Sequence, residues 1–367
     1  MYVKERYNSL GQRIAVYYLL LLKPIFNPVR GAYLSCYKDI YDFFHSLYLM
    51  FYENPEKLGI PSKQDNCLDH CITSELRKSF LKDLMQIFHI FHDLLYFLYQ
   101  AGYSGHLQGH RLIIELEVYD NFYRDSRRIK EHLLMGLSLI GLEIRVTGQG
   151  VELSNKNVPE MIDGLHLLAS MCKNHQCENG FFYFYRCDFD VLSNDYSKLN
   201  SRILAEIIKN EDSYRYIKKL RDYMTQNGYN YGINLKNPFR LIISCSNPKI
   251  KRTPLLEFTF DIRYESMLHI CLRFVSTHKI VPFLDDVPSY VKKDFSMISN
   301  LCRGESCMQH LVLKGNAVPS VLKTEHGEKT ICWRLQSDYT DINLHNFKLI
   351  RYYLLLHQRL LHENVMT

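Results

Sequence analysis

Between two stretches of helical periodicity, residues 142–154 read Leu-Glu-Ile-Arg-Val-Thr-Gly-Gln-Gly-Val-Glu-Leu-Ser. Leu142, Ile144 and Val146 alternate with Glu143 and Arg145, and Val151 and Leu153 alternate with Glu152, so one face of a two-stranded unit is apolar. Gly148 and Gly150 supply the turn geometry. A β-hairpin set among amphipathic helices has the layout of a helix bundle with a wing, which many proteins place against nucleic acid.

The helical patterns around the hairpin have clear punctuation. A first helix over 1–23 ends at Lys23-Pro24, because a residue before proline is pushed away from helical geometry. A second, over 33–53, carries Tyr37, Ile40, Tyr41, Phe44, Leu47 and Tyr48 at three- and four-residue steps. Thr73 or Ser74 caps a third that runs to about Gln100, and its wide apolar stripe predicts a central position. Gly102, Gly105 and Gly109 suggest a flexible connection into a helical stretch over about 115–141. Beyond the hairpin, Pro159 opens a helix to Lys173. The run Phe181-Phe182-Tyr183-Phe184-Tyr185 is too apolar for a surface loop and predicts a buried strand or packed linker.

After a helix over 200–226, closed by Asn227-Gly228, the period changes. Residues 239–245, 255–263 and 267–274 are short, β-rich and separated by polar turns, the pattern of an antiparallel meander. A helix over 286–301 interrupts it, segments 318–323 and 329–335 flank a turn, and a last helix covers 341–362. These readings give an α+β fold in two domains: a mainly helical one, residues 1–195, containing the hairpin, and an α+β one, residues 196–367, with an antiparallel sheet and the C-terminal helix.

Charge and cysteine usage narrow the classes of function. Lys and Arg number 45 against 39 Asp and Glu, a mild excess that permits a polyanionic partner without the strong basicity of a dedicated nucleic-acid domain. Eleven cysteines, an odd number scattered through apolar patterns, point to reduced thiols. The longest apolar run, Ala15 to Leu22, falls far short of the roughly 20 residues that span a bilayer. With no leader-like opening, the expectation is a cytoplasmic protein with no transmembrane segment.

Among candidate sites, the basic residues Arg124, Arg127, Arg128 and Lys130, with Arg145 on the hairpin, form one set. Cations of this kind neutralise phosphates and release counterions, which makes DNA or RNA the first partner to consider. Tyr183 and Arg186, beside the aromatic run, are candidate ligand contacts if the chain is instead an enzyme or small-ligand receptor. Cys302, Cys307, His310 and Cys332 carry donors suited to structural zinc, although their spacing lacks a C-x2-C knuckle, so no cofactor is expected beyond that possible ion. Cys67, Asp69, His70 and Cys71 form a second, sparser group in a loop and read as thiols with an incidental histidine. No nucleophile elbow, phosphate-binding loop or H-E-x-x-H motif occurs, so the reading favours a non-enzymatic binding protein.

Overall fold

Thr73 opens the longest described helix. Its hydroxyl accepts the backbone N–H of Leu76 at 3.2 Å and so satisfies a first-turn donor that has no partner within the helix. From there α3 (Ser74–Ser104) buries Phe80, Leu84, Ile87, Phe91, Leu95 and Leu98, the stripe expected of a central helix. The computed structural model describes residues 7, 9–23, 34–64, 67–123, 127–148, 150–174, 179–189, 196–207, 211–237, 239–248, 256–265, 267–275, 280–301, 320–324, 327–331, 334–339 and 343–363. The chain forms two units, residues 1–199 with 262–265, and residues 200–261 with 266–367.

In the first unit α1 (Leu10–Leu21) and α2 (Leu34–Glu53) pack with α3 through aromatic rings. Tyr18 stacks on Tyr48 and Phe91, and Phe51 lies on Phe91 with ring centroids 3.7 Å apart. After α3 come β1 (His106–Leu107), β2 (Arg111–Ile114), α4 (Leu116–Tyr123), α5 (Arg127–Leu139), β3 (Leu142–Thr147) and β4 (Gly150–Asn155). The four strands make one antiparallel sheet in the order β1-β2-β4-β3. The glycine-rich segment expected to be a flexible connection is therefore a small hairpin, turned at Gly109 with a φ of 60°.

Helix α6 (Glu160–Asn174) packs closely on α2 and α3 because small residues sit at both crossings. A Cβ on Gly164 would stand 2.6 Å from the Cys36 carbonyl, and one on Gly102 would stand 2.5 Å from Cβ of Ala169. The aromatic run is a short helix, α7 (Gly180–Tyr185), rather than a strand. Its rings pack on several sides instead of alternating: Phe182, Tyr183, Phe184 and Tyr185 are all buried, and Tyr99 meets both Phe181 and Phe184.

Helix α8 (Tyr196–Ile207) spans the boundary between the units in sequence, and α9 (Glu211–Gln226) follows in the second. The strands β5 (Asn230–Asn237), β6 (Arg240–Ser246), β7 (Leu256–Asp261) and β8 (Leu268–Val275) follow. Next come α10 (Ser289–Leu301), β9 (Ser320–Thr324), β10 (Gly327–Ile331), β11 (Arg334–Tyr339) and α11 (Leu344–Glu363). A five-stranded antiparallel sheet runs β11-β8-β7-β6-β5, and β9 pairs with β10. Registers Leu241↔Phe260 and Ile243↔Phe258 place the apolar side chains of β6 and β7 opposite one another. The last helix docks within this unit: Phe347 stacks on Tyr216 of α9, and the Tyr353 hydroxyl donates to Asp294 of α10 at 2.7 Å. The fold is α+β, and no described helix is long and apolar enough to cross a membrane.

Candidate nucleic-acid interface

Three residues separate Tyr123, the end of α4, from Arg127, the start of α5. The pair is fixed to the bundle through Phe122, which stacks on Phe97 of α3 with ring centroids 4.5 Å apart. The Lys130 ammonium lies over the same Phe122 ring, 4.7 Å from its centroid, and the Tyr123 hydroxyl donates to Glu131 at 3.2 Å. Below, α5 buries Leu133 and Leu137 and rests on the 3-10 turn Pro55–Leu58. Gly136 permits that approach, since a Cβ there would lie 2.1 Å from Leu58 Cδ2. The side left over carries Glu131, His132, Met135 and Leu139, with Met135 67% and Leu139 64% exposed.

The hairpin is joined to α5 by Gly141, whose φ of 91° suits a residue without a Cβ. Asn155 secures the base by accepting the N–H groups of Asn157 and Val158, both at 2.9 Å. Near the turn, Gly150 has a φ of 136°, and a Cβ on it would meet the Ile114 carbonyl at 2.4 Å, so β2 can lie close along β4. Burial alternates along β4, but β3 is an edge strand whose exposure rises toward the turn, leaving Arg145, Val146 and Thr147 in solvent. Val146 is 62% exposed although it stands opposite the buried Val151, because β3 is the edge strand of the sheet.

The basic residues divide by position. Arg127 and Arg128 occupy the first turn of α5, and their side chains, like Arg124 as a whole, lie outside the described residues. Lys130 is only 6% exposed and turns inward to Phe122, so it does not share a surface with Arg145. On the sheet, Arg145 pairs with Glu143, which also lies 4.0 Å from Lys156, and Arg111 reaches Glu152 at 3.5 Å. Sequence reading found the hairpin and the basic residues before it, but it ran one helical stretch over 115–141 where α4 and α5 are separate, and it missed β2, which pairs with β4.

The remaining candidates lie elsewhere. Tyr183 and Arg186 are interior groups of the first unit, and the Arg186 side chain is fully buried. Its Nη1 donates to the Leu21 carbonyl at 2.6 Å, and Asp188 stands 3.8 Å from it and 3.2 Å from Lys23. A buried cation requires such compensation, and these contacts fasten the end of α1 to the segment after α7. Cys302, Cys307, His310 and Cys332 lie outside the described residues. No known protein family, curated protein or solved structure matches the chain.

Proposed function

We propose that the first unit is a nucleic-acid-binding module, with no catalytic step, in which α4 and α5 act as a helix-turn-helix and β3–β4 as a wing. The observation that carries this reading is the element order after α3: the short hairpin β1–β2, two helices separated in sequence by three residues, then a hairpin whose second strand returns to β2 in the sheet order β1-β2-β4-β3. In such an arrangement the start of the second helix meets base edges or phosphates, and here that start is Arg127-Arg128. The acidic partners on the wing do not oppose the reading, because exposed ion pairs hold by only about 0–1 kcal/mol and a phosphate can take over the cation. Titration of labelled duplex DNA and of structured RNA with the whole chain, followed by fluorescence anisotropy at several salt concentrations, tests it. Binding that weakens steeply with salt supports the reading; no binding at low salt overturns it.

A second reading is favoured by Met135 and Leu139, which stand one turn apart on the exposed side of α5. A protein partner seated on those two side chains would bind with little dependence on salt, so the same titration separates the two readings.

A further inference from the structure

Cys67 and His70 flank one turn of 3-10 helix, closed by a 3.0 Å bond from the His70 N–H to the Cys67 carbonyl. Three residues complete a turn of such a helix, so side chains at i and i+3 eclipse, and Cys67 Sγ lies 3.4 Å from His70 Nδ1. The second nitrogen of the ring, Nε2, lies 3.7 Å from a carboxylate oxygen of Glu265. Glu265 is almost two hundred residues away in sequence, yet segment 262–265 belongs to the first unit and is fastened there at several points. The Leu68 N–H donates to the Arg263 carbonyl at 2.8 Å, and the buried Arg13 guanidinium donates to the carbonyls of Ile262 and Tyr264 at 3.2 and 2.7 Å. The Asp69 carboxylate accepts the Glu265 N–H at 2.8 Å.

We propose that Cys67, His70 and Glu265 form a binding site for a zinc-type divalent cation. One donor atom from each residue lies within 4.8 Å of the others, whereas metal–ligand distances of roughly 2.0–2.3 Å in a tetrahedral site set neighbouring donors about 3.3–3.7 Å apart. The contraction is small and is open to the two movable partners, because the side chains of His70 and Glu265 are 52% and 60% exposed while Cys67 is fixed in the interior. Rotation of the His70 ring brings a single nitrogen toward both neighbours. A thiolate, an imidazole and a carboxylate suit zinc better than magnesium or calcium, which take all-oxygen sites. A water would complete four-coordination, and the thiol proton leaves to solvent when the metal binds. Asp69 Oδ2 accepts the Glu265 N–H and lies 3.8 Å from Cys67 Sγ, and so helps to position both of these ligands. The ion would clamp residues 262–265 to the 67–70 turn, a connection that local sequence spacing does not disclose.

The test uses the whole reduced chain, stripped of metal with a chelator and titrated with Co2+ and then Zn2+. A thiolate-to-cobalt charge-transfer band, tetrahedral-intensity visible bands and their displacement by zinc are the expected results. His70→Ala and Glu265→Gln alter exposed side chains and leave the far-ultraviolet circular dichroism unchanged. Each should weaken the bands or lower affinity by roughly tenfold or more. Absence of the bands in the parent chain, or their undiminished survival in either variant, overturns the proposal.

Discussion

The Lys130 ammonium lies 4.7 Å from the centroid of the Phe122 ring, which itself stacks on Phe97. A lysine that reads in sequence as one of a row of basic residues is thereby a brace between α4 and α5. Lys130→Met keeps the aliphatic stem and removes the cation, so it should lower stability by about 0.5–2 kcal/mol in urea unfolding. The salt dependence of any nucleic-acid binding should be unchanged, since this charge does not face outward.

Gly102→Ala tests the crossing of α3 and α6. The added methyl would stand 2.5 Å from Ala169 Cβ and 3.0 Å from the Leu165 carbonyl, and neither neighbour is the end of a flexible side chain. Overpacking of this kind costs about 1–3 kcal/mol, more than alanine gains over glycine in helix propensity. A lower urea midpoint with unchanged slope is the expected result.

His357 gives the second unit an acid sensitivity. Burial pushes its imidazole down from 6.5 to about 4, and the Tyr229 hydroxyl lies 3.3 Å from its Nδ1. The unfolded chain takes up this proton near pH 6.5 and the folded chain only near pH 4, so the contribution is complete above the first value and is lost as pH falls toward the second. The loss amounts to roughly 3 kcal/mol across that window. His357→Asn should flatten the dependence of unfolding free energy on pH between those limits; an equal fall in the variant would refute the assignment.

What the sequence disclosed depended on how local each signal was. The cap at Thr73, the stripe of α3 and the hairpin at 142–154 are set by neighbours a few residues apart, and periodicity exposes them. The pairing of β2 with β4 and the approach of Glu265 to His70 join segments about forty and two hundred residues apart, where no spacing rule applies. The run 181–185 is apolar throughout, and without alternation or a three-to-four period burial was legible but its helical form was not. Basic side chains could be counted but not aimed, as the inward turn of Lys130 illustrates.

Gly150→Val should loosen the β3–β4 hairpin. The residue's φ of 136° disfavours any side chain, and a Cβ would strike the Ile114 carbonyl at 2.4 Å, so the β2–β4 pairing must yield locally. Faster amide exchange at residues 112–114 and 151–153, with α3 still protected, is the expected outcome.

Whether α4, α5 and the β3–β4 hairpin hold nucleic acid as proposed is tested most directly by the salt dependence of duplex binding in the parent chain and in the Arg127→Ala/Arg128→Ala double variant. If both arginines meet phosphates, the variant should bind more weakly across sequences, and its slope of log affinity against log salt should be shallower by about 2. An unchanged slope in the double variant, or a parent chain that does not bind duplex at low salt, would contradict the assignment.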